Sequence, residues 1–176
     1  MNPILRPLKW LGRQMTKLDP PKPKPWDEMS PRTREVAKKV IKYSSRANVW
    51  LYRKTGGQLG AGFFSETDVC LMTTTGRKSG LPRTVPLLYM RDGERVLLVA
   101  SKGGFPKHPL WYKNLQATPR VTLQIGAEVR EMTARTADEA ERARLWPRLV
   151  EYYPGYADYQ AVTERLIPVV VLEPVA

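Results

Sequence analysis

The chain of 176 residues is long enough for one domain and an extension. Its 42% hydrophobic residues can form a core, and its single cysteine, Cys70, excludes an internal disulfide and favours a reducing compartment. Every apolar run is far shorter than the roughly 18 residues that span a bilayer, and the basic N-terminus lacks the apolar region of a signal peptide. We therefore expect a cytoplasmic protein.

The positive charge is concentrated near the N-terminus. The net charge at pH 7 is +12, of which residues 1–60 carry +10, residues 61–113 carry +4 and residues 114–176 carry −2. A domain that binds nucleic acid along its whole length would spread its basic residues more evenly. The distribution therefore argues against nucleic acid as the partner.

Residues 1–29 are interpreted as a basic arm that precedes a domain of residues 30–176. In the arm, apolar residues recur at helical spacing and basic residues lie on the opposite face: Leu8, Leu11, Met15 and Leu18 against Lys9, Arg13 and Lys17. This pattern predicts an amphipathic helix, which either lies peripherally on the anionic inner face of the cell membrane or packs on the domain itself. A spacer of alternating proline and lysine follows at residues 19–25.

The domain is predicted to combine helices with antiparallel strands. A long helix should begin at Ser30 and Pro31 and end at Gly56 and Gly57. Strands are predicted at residues 69–75, 84–91, 95–101, 121–125, 129–136 and 168–172. Further helices are predicted at residues 109–116 and 137–150, and Pro147 should kink or end the second of them. Together these elements indicate an α+β barrel.

A basic loop with two glycines follows the first predicted strand. It contains Gly76, Arg77, Lys78, Ser79, Gly80 and Arg83. Glycines let backbone amides approach an anion closely, and arginine can bind phosphate oxygens with two hydrogen bonds. The spacing of a P-loop is absent. The loop is either part of a phosphate site or a solvated basic turn.

A second loop of the same kind ends the predicted strand at 95–101. It contains Ala100, Ser101, Lys102, Gly103 and Gly104, and the helix that follows opens with Trp111 and Tyr112. Because a helix N-terminus attracts anions, we expect the two loops to converge on one phosphate group. Trp111 and Tyr112 would then flank an aromatic ring, although the usual place of a tryptophan is the core.

A tyrosine cluster is the third candidate, since four of the eight tyrosines lie within residues 152–159. The cluster suits a flat aromatic substrate that bears oxygen atoms, or an interface with the phenols in water. The single histidine, His108, suggests no catalytic triad, and neither a metal site nor a Rossmann motif is present in the sequence. A chain with few acid–base groups and two anion-binding loops points to chemistry carried by a cofactor.

Together these stretches resemble the deazaflavin-dependent nitroreductase family of actinobacteria. The matching stretches keep the family's order between residues 48 and 174, at 73–80, 82–83, 86–87, 91–93, 100–104, 108–115, 153–159 and 167–171. The resemblance implies a split β-barrel similar to flavin reductases, with flanking helices. It also implies reduced coenzyme F-420, a 5-deazaflavin with a phosphate and a polyanionic glutamate tail, as the cofactor.

The resemblance also implies roles for individual residues. Those that would hold the phosphate and tail are Arg77, Lys78, Ser79 and Arg83. Those that would border the phosphate and the deazaflavin are Pro86, Ala100, Ser101, Lys102, Gly103, Gly104, Trp111 and Tyr112. The catalytic residues on the acceptor side would be Ser101, Tyr153, Tyr156 and Tyr159.

The resulting hypothesis is hydride transfer from the deazaflavin to a menaquinone-like quinone or a nitroaromatic compound. Ser101 or a phenol, above all that of Tyr156, would donate a hydrogen bond to the acceptor oxygen. Two alternatives remain: a split-barrel reductase that uses FMN, and a non-enzymatic basic module that binds membrane or nucleic acid. The sequence leaves the physiological acceptor and the oligomeric state open.

Overall fold

A computed structural model describes residues 30–33, 36, 49–57 and 69–175. The arm and its spacer, predicted at residues 1–29, lie outside the described residues. The predicted N-cap at Ser30 is confirmed, because its hydroxyl accepts a hydrogen bond from the amide of Thr33 at the start of a helical segment. The predicted helix end is also confirmed, since the helical residues 49–54 are followed by a turn in which Gly56 and Gly57 adopt positive φ values of 56° and 80°. The course of the predicted helix between these segments lies outside the described residues.

Six antiparallel strands form a closed barrel in the order β1-β2-β3-β6-β5-β4. The strands are β1 (Val69–Thr75), β2 (Pro82–Asp92), β3 (Arg95–Val99), β4 (Arg120–Ile125), β5 (Glu128–Thr136) and β6 (Val169–Pro174). The helices are α1 (Leu110–Ala117), α2 (Glu139–Tyr152) and α3 (Gly155–Ala161), and a single turn of 3-10 helix spans Lys102–Gly104. The predicted α+β barrel is therefore confirmed.

Two apolar layers form because the strands alternate in burial. Inward-facing residues such as Met72, Leu98 and Leu172 fill the barrel together with Trp111 of α1. Outward-facing residues of β3 and β6, such as Leu97, form an outer core with α2 and α3. The outer core explains why β3 and β6 are uninterrupted apolar runs, since both of their faces are covered.

The second strand changes neighbours along its length. Residues 82–88 of β2 pair with β1, whereas residues 89–92 pair with β3. β3 lies between β2 and β6, and it pairs with β2 only as far as Leu98 and with β6 as far as Val99. The amide of Ala100 then donates to the carbonyl of Pro168, and the chain leaves the sheet in the turn at residues 102–104. Residues 82–88 therefore have a free edge, to which no described strand pairs, and the barrel is split at this point.

All connections that carry helices lie at one end of the barrel. Antiparallel order places the end of β1, the start of β2 and the end of β3 at that end. The connection from β3 to β4 contains α1, and the connection from β5 to β6 contains α2 and α3. Both loops predicted to bind an anion thus lie at the same end of the barrel.

Three local predictions need adjustment. Of the two effects predicted for Pro147, ending the helix is wrong, since α2 continues to Tyr152; Pro147 lies on the exposed face, where water can hydrogen bond the carbonyl that lost its partner. The strand predicted to reach residue 101 ends at Val99, since Ser101 already has helical dihedral angles. The tyrosine-rich segment contains α3, which was not predicted. None of the described helices is long and apolar enough to cross a membrane.

An ion-pair network holds α2 against the barrel. Arg135 on β5 donates two hydrogen bonds to Glu141 on α2 and two to Glu173 on β6. Arg95 lies 3.5 Å from Glu141, whose side chain is only 11% exposed. The hydrogen-bonded guanidinium of Arg135, helped by the charge of Arg95, outweighs burial and holds the pKa of Glu141 below its ordinary value.

We expect Glu141→Gln to lower the free energy of unfolding by about 1–3 kcal/mol, because Arg135 would lose a charge-assisted partner. The pKa of this carboxyl in the folded chain lies below its ordinary value of 4.5. The contribution of the pair is therefore complete above that value and is lost as the pH falls through the folded-state pKa. Urea unfolding at a series of pH values measures both effects.

The matched control is Glu139→Gln, since Glu139 is exposed in the first turn of the same helix. It should change the free energy of unfolding by less than about 0.5 kcal/mol. Equal losses in the two variants, or a loss for Glu141→Gln that persists at low pH, would contradict the role of the network.

Candidate functional site

The loop between β1 and β2 is a compact turn that uses most of its own amides. The amide of Gly76 donates to the carbonyl of Leu81, and the amides of Ser79 and Gly80 donate to the carbonyl of Gly76. A Cβ at Gly76 would lie 2.8 Å from the Ser79 hydroxyl and 3.1 Å from the Leu81 carbonyl oxygen, so a larger residue there would displace the Ser79 side chain. The loop therefore offers an anion its side chains, rather than the bare amides expected from the sequence.

Asn114 fastens this loop to α1. Its buried side-chain carbonyl accepts a hydrogen bond from the amide of Arg77 at 3.3 Å, and its amide group donates to the hydroxyl of Thr74 at 3.1 Å. The sequence analysis did not single out this residue. A polar residue between the buried Tyr112 and Leu115 of α1 was the available signal, since buried amides are placed where they find partners.

Three cations of this region are exposed at the mouth of the split. Arg77, Lys78 and Arg83 form no ion pair with any residue in the described part of the chain. Arg83 donates a 3.3 Å hydrogen bond to the hydroxyl of Ser79, which keeps these two predicted residues together. Cations without carboxylate partners can bind a phosphate or carboxylate ligand without first breaking an internal salt bridge.

The pairing of β2 with β3 stops at Tyr89 and Leu98, so residues 82–88 leave an edge that no described strand covers. From this register we infer a gap between residues 82–88 and the turn at residues 101–104, which follows β3 at the same end of the barrel, and we call it the edge groove. Val85 and Leu87 face inward with the barrel core but remain half-exposed, in contrast to the fully buried Met72 and Cys70 opposite them on β1. The edge groove thus has an apolar inner wall and a cationic mouth.

Two prolines line the free edge. The bond from Gly76 to Leu81 shows that the backbone groups of odd-numbered residues in this strand face β1. Those of the even-numbered residues, including Pro82 and the predicted cofactor residue Pro86, face the groove. Proline has no amide hydrogen, which suits an edge that must not pair with another strand.

The turn after β3 has an unusual backbone. Lys102, Gly103 and Gly104 adopt positive φ values of 49°, 60° and 73° in succession. A Cβ at Gly104 would lie 2.4 Å from the Val162 side chain and 2.8 Å from the carbonyl of Tyr159. The tyrosine-rich helix α3 therefore packs directly on this turn, and the structure brings together two of the three regions that the sequence singled out.

Ser101 and Lys102 point their polar groups differently. The half-buried Ser101 makes no side-chain hydrogen bond to a residue that the structure describes, so its hydroxyl is available to a ligand. The ammonium group of Lys102 lies 4.1 Å from the centre of the Phe105 ring. His108, for which the sequence suggested no catalytic role, lies beside Arg165. Its pKa is lowered mainly by burial and further by the positive charges of Arg165 and Lys113.

Trp111 and Tyr112 lie in the barrel core, at its helical end. They are 8% and 5% exposed, and their rings meet edge to face at 6.2 Å. The hydroxyl of Tyr112 is 3.0 Å from the Thr136 hydroxyl, which satisfies it without a ligand. The structure places both residues behind the edge groove, where they support its wall, and the core position considered for Trp111 is correct.

The three predicted catalytic tyrosines are in different surroundings. The hydroxyls of Tyr153 and Tyr159 are 3.3 Å apart, and both side chains are half-exposed. Tyr156 is only 4% exposed and packs against Tyr153 and Trp146 in the outer core. Burial, the largest cause in both cases, raises the pKa of Tyr156 and of Tyr159, so both phenols keep their protons at neutral pH.

A shallow depression at the opposite end of the barrel is unrelated to these residues. It is lined by Arg91, Glu94, Val96, Leu123, Ile125, Glu128, Arg130 and Met132. None of the predicted site residues belongs to it. Glu128 and Arg130 in its wall are paired with each other, so the depression offers no free charge from that pair.

Comparison with known proteins gives consistent matches. The family model described as F420H(2)-dependent quinone reductase matches residues 44–174. The F420H(2)-dependent quinone reductase Rv1261c of Mycobacterium tuberculosis (strain H37Rv) is 42% identical over 125 residues, which cover 69% of this chain and 84% of that protein. The matched region contains both loops, the edge groove and α3.

Two solved structures are similar in both sequence and fold. One, described as an F420-H2 dependent reductase (FDR-A), is 49% identical with a TM-score of 0.56 and covers 60% of this chain and 93% of its own. The other, described as a domain-swapped dimer, is 39% identical with a TM-score of 0.59 and covers 81% of this chain and 99% of its own.

The packing of α3 on the turn can be tested with two neighbouring glycines. Gly104→Ala should lower the free energy of unfolding by about 2–4 kcal/mol, because the new methyl group would add a clash to the cost of positive φ. Gly103→Ala is the matched control, since φ is also positive but nothing lies within 4 Å of the added Cβ. It should cost only about 1–2 kcal/mol, and equal losses in urea unfolding would show that α3 does not pack as described.

Proposed function

Since the chain belongs to the F420H(2)-dependent quinone reductase family, we propose that it transfers a hydride from the reduced deazaflavin coenzyme F-420 to a quinone. The observation that supports this proposal best is the edge groove, with an apolar wall beside unpaired cations. A flat ring system with a long anionic tail needs both features in one place. The proposal treats the cationic mouth as the site of the tail and the groove as the site of the ring.

The residues of the described site fit such a cofactor. Arg77, Lys78 and Arg83 can bind the phosphate and the carboxylates of the tail, since none of them forms an ion pair with a residue that the structure describes. Val85 and Leu87 supply apolar surface for one face of the ring, and Pro86 keeps the strand edge free. The turn at residues 101–104 follows the buried Ala100 on the other side of the groove, where Ser101, Gly103 and Gly104 leave room and Lys102 supplies a further cation.

The reduced deazaflavin supplies the hydride, and the chain supplies orientation, exclusion of water and a hydrogen-bond donor. Negative charge grows on an acceptor oxygen as the hydride arrives. A hydrogen-bond donor placed at that oxygen lowers the activation barrier to hydride transfer. The hydroxyl of Ser101, in the turn, makes no hydrogen bond to a described side chain. Tyr153 and Tyr159 form a hydroxyl pair on the segment that packs on the turn, so their partly exposed phenols are better placed than the buried Tyr156.

A quinone is the preferred acceptor because its two carbonyl oxygens can accept hydrogen bonds from these serine and tyrosine hydroxyls. The M. tuberculosis relative is named a quinone reductase, and the aromatic segment 152–159 suits a flat ring. A nitroaromatic compound has the same electron-poor, oxygen-bearing character and is proposed as a second substrate class. Oxidation of the reduced deazaflavin, followed optically with a panel of quinones and nitroaromatics, tests the proposal, and FMN in competition tests the choice of cofactor.

We expect Lys78→Ala and Arg83→Ala to weaken binding of the deazaflavin cofactor about tenfold each, because each removes one charge-assisted contact with the tail. The loss should shrink as salt is added, since salt already screens the removed attraction. Fluorescence titration of the cofactor at several salt concentrations measures both quantities.

The control for charge alone is Arg91→Ala, which removes an exposed cation at the opposite end of the barrel that forms no ion pair with a described residue. It should leave the dissociation constant within about twofold of wild type. Unchanged affinity in both Lys78→Ala and Arg83→Ala, or an equal loss in Arg91→Ala, would refute the assignment of the tail to this mouth.

We expect Tyr153→Phe and Tyr159→Phe to lower the turnover number by about thirtyfold or more, the effect of losing a donor worth about 2 kcal/mol. Cofactor affinity should change little, since the ring and tail contacts remain. Steady-state kinetics with a soluble quinone, beside a fluorescence titration, separates the two quantities.

Tyr156→Phe serves as the comparison on the same helix. If the buried phenol has no contact with the acceptor, turnover in this variant stays within about threefold of wild type. A loss confined to Tyr156→Phe would instead support the assignment made from the sequence and reject the Tyr153–Tyr159 pair.

A further inference from the structure

Arg165 makes an unusual set of contacts with the turn after β3. Its guanidinium donates to three backbone carbonyls: that of Phe105 at 2.8 Å, that of Ser101 at 2.7 Å and that of Ala100 at 3.2 Å. Its remaining terminal nitrogen lies 3.3 Å from Nδ1 of His108. One partly buried side chain thus contacts both ends of the segment 100–108 that contains the turn.

The turn needs such support because its backbone is strained. Lys102 has a φ of 49°, a conformation that costs a residue with a side chain about 1–2 kcal/mol. Within the turn, only the amides of Gly104 and Phe105 donate back, to Ser101 and Lys102. The contacts from Arg165 and the packing of α3 on Gly104 add to these bonds, so a residue about sixty positions further along the chain contributes to the shape of the turn.

The backbone at Arg165 is itself held in place. The side-chain amide of Gln160 donates to the carbonyl of Arg165 at 3.0 Å and accepts from the amide of Ile167 at 2.9 Å. Arg142 of α2 donates to the carbonyl of Ile167 at 3.0 Å. The segment between α3 and β6 is therefore ordered, and it presents the guanidinium at a defined position.

We propose that Arg165 is a positioning residue, which holds the turn at residues 101–104 in the conformation that binds the cofactor. It acts through the carbonyls of Ala100, Ser101 and Phe105 and does not itself need to touch the ligand. This inference rests on the proposed function for the identity of the ligand, whereas the effect on the turn itself does not. His108 assists as a neutral acceptor that completes the guanidinium's contacts.

The experiment compares Arg165→Lys with Arg135→Lys in the full chain. Arg135 is also partly buried and also makes several hydrogen bonds, but to Glu141 and Glu173 and not to the turn. Lysine keeps the charge but lacks the planar fork that reaches several carbonyls at once. Three quantities are measured: the melting temperature, the hydrogen exchange of amides 102–105 in the cofactor-free protein, and the dissociation constant of the deazaflavin cofactor by fluorescence.

Arg165→Lys should speed the exchange of amides 102–105 and raise the dissociation constant about tenfold, the equivalent of one lost charge-assisted contact. Arg135→Lys should lower the melting temperature without changing either quantity. His108→Gln, which leaves the three carbonyl contacts intact, should give a smaller effect in the same direction and serves if Arg165→Lys does not fold.

The outcomes separate this inference from the proposed function. Unchanged exchange and unchanged affinity in Arg165→Lys, or equal changes in Arg135→Lys, would overturn the positioning role. Faster exchange in a protein whose wild type does not bind the deazaflavin would support the positioning role and reject the proposed cofactor. Faster exchange with unchanged affinity would overturn the link between the turn and the cofactor.

Discussion

The change of partner along β2 is the constraint on which the candidate site depends. The strand β2, with eleven residues, is longer than either of its neighbours, so its first part pairs with β1 and its last part pairs with β3. Where β3 ends, no described strand covers residues 82–88 of β2, and Val85 and Leu87 remain only partly buried beside an otherwise closed core. The groove is therefore a product of strand register and not of any single loop.

Charge and apolar surface meet at this edge for a topological reason. Antiparallel order brings the end of β1 and the end of β3 to the same side of the barrel, so residues far apart in sequence share one end. The cations of the first loop remain unpaired, whereas Arg135, Glu141 and Glu173 are paired with one another. The distribution of salt bridges separates residues that stabilise the fold from those available to a ligand.

Long-range polar contacts then shape the two loops. Asn114 positions the first loop through the amide of Arg77, and Arg165 positions the second through three carbonyls. Both side chains act on backbone atoms, which every sequence shares. Contacts of this kind leave no local motif, and this explains why the analysis of the sequence found the loops but missed the residues that hold them.

The strands, the turns and the two basic loops could be predicted from local patterns, because alternation of apolar residues, glycine placement and local charge are properties of neighbouring residues. The order of the motifs also indicated the family. The burial of Tyr156, the hydroxyl contact between Tyr153 and Tyr159 and the core position of Trp111 depend instead on how distant elements pack. The helix continues through Pro147 for a similar reason, since burial and solvent exposure depend on elements that are distant in the chain.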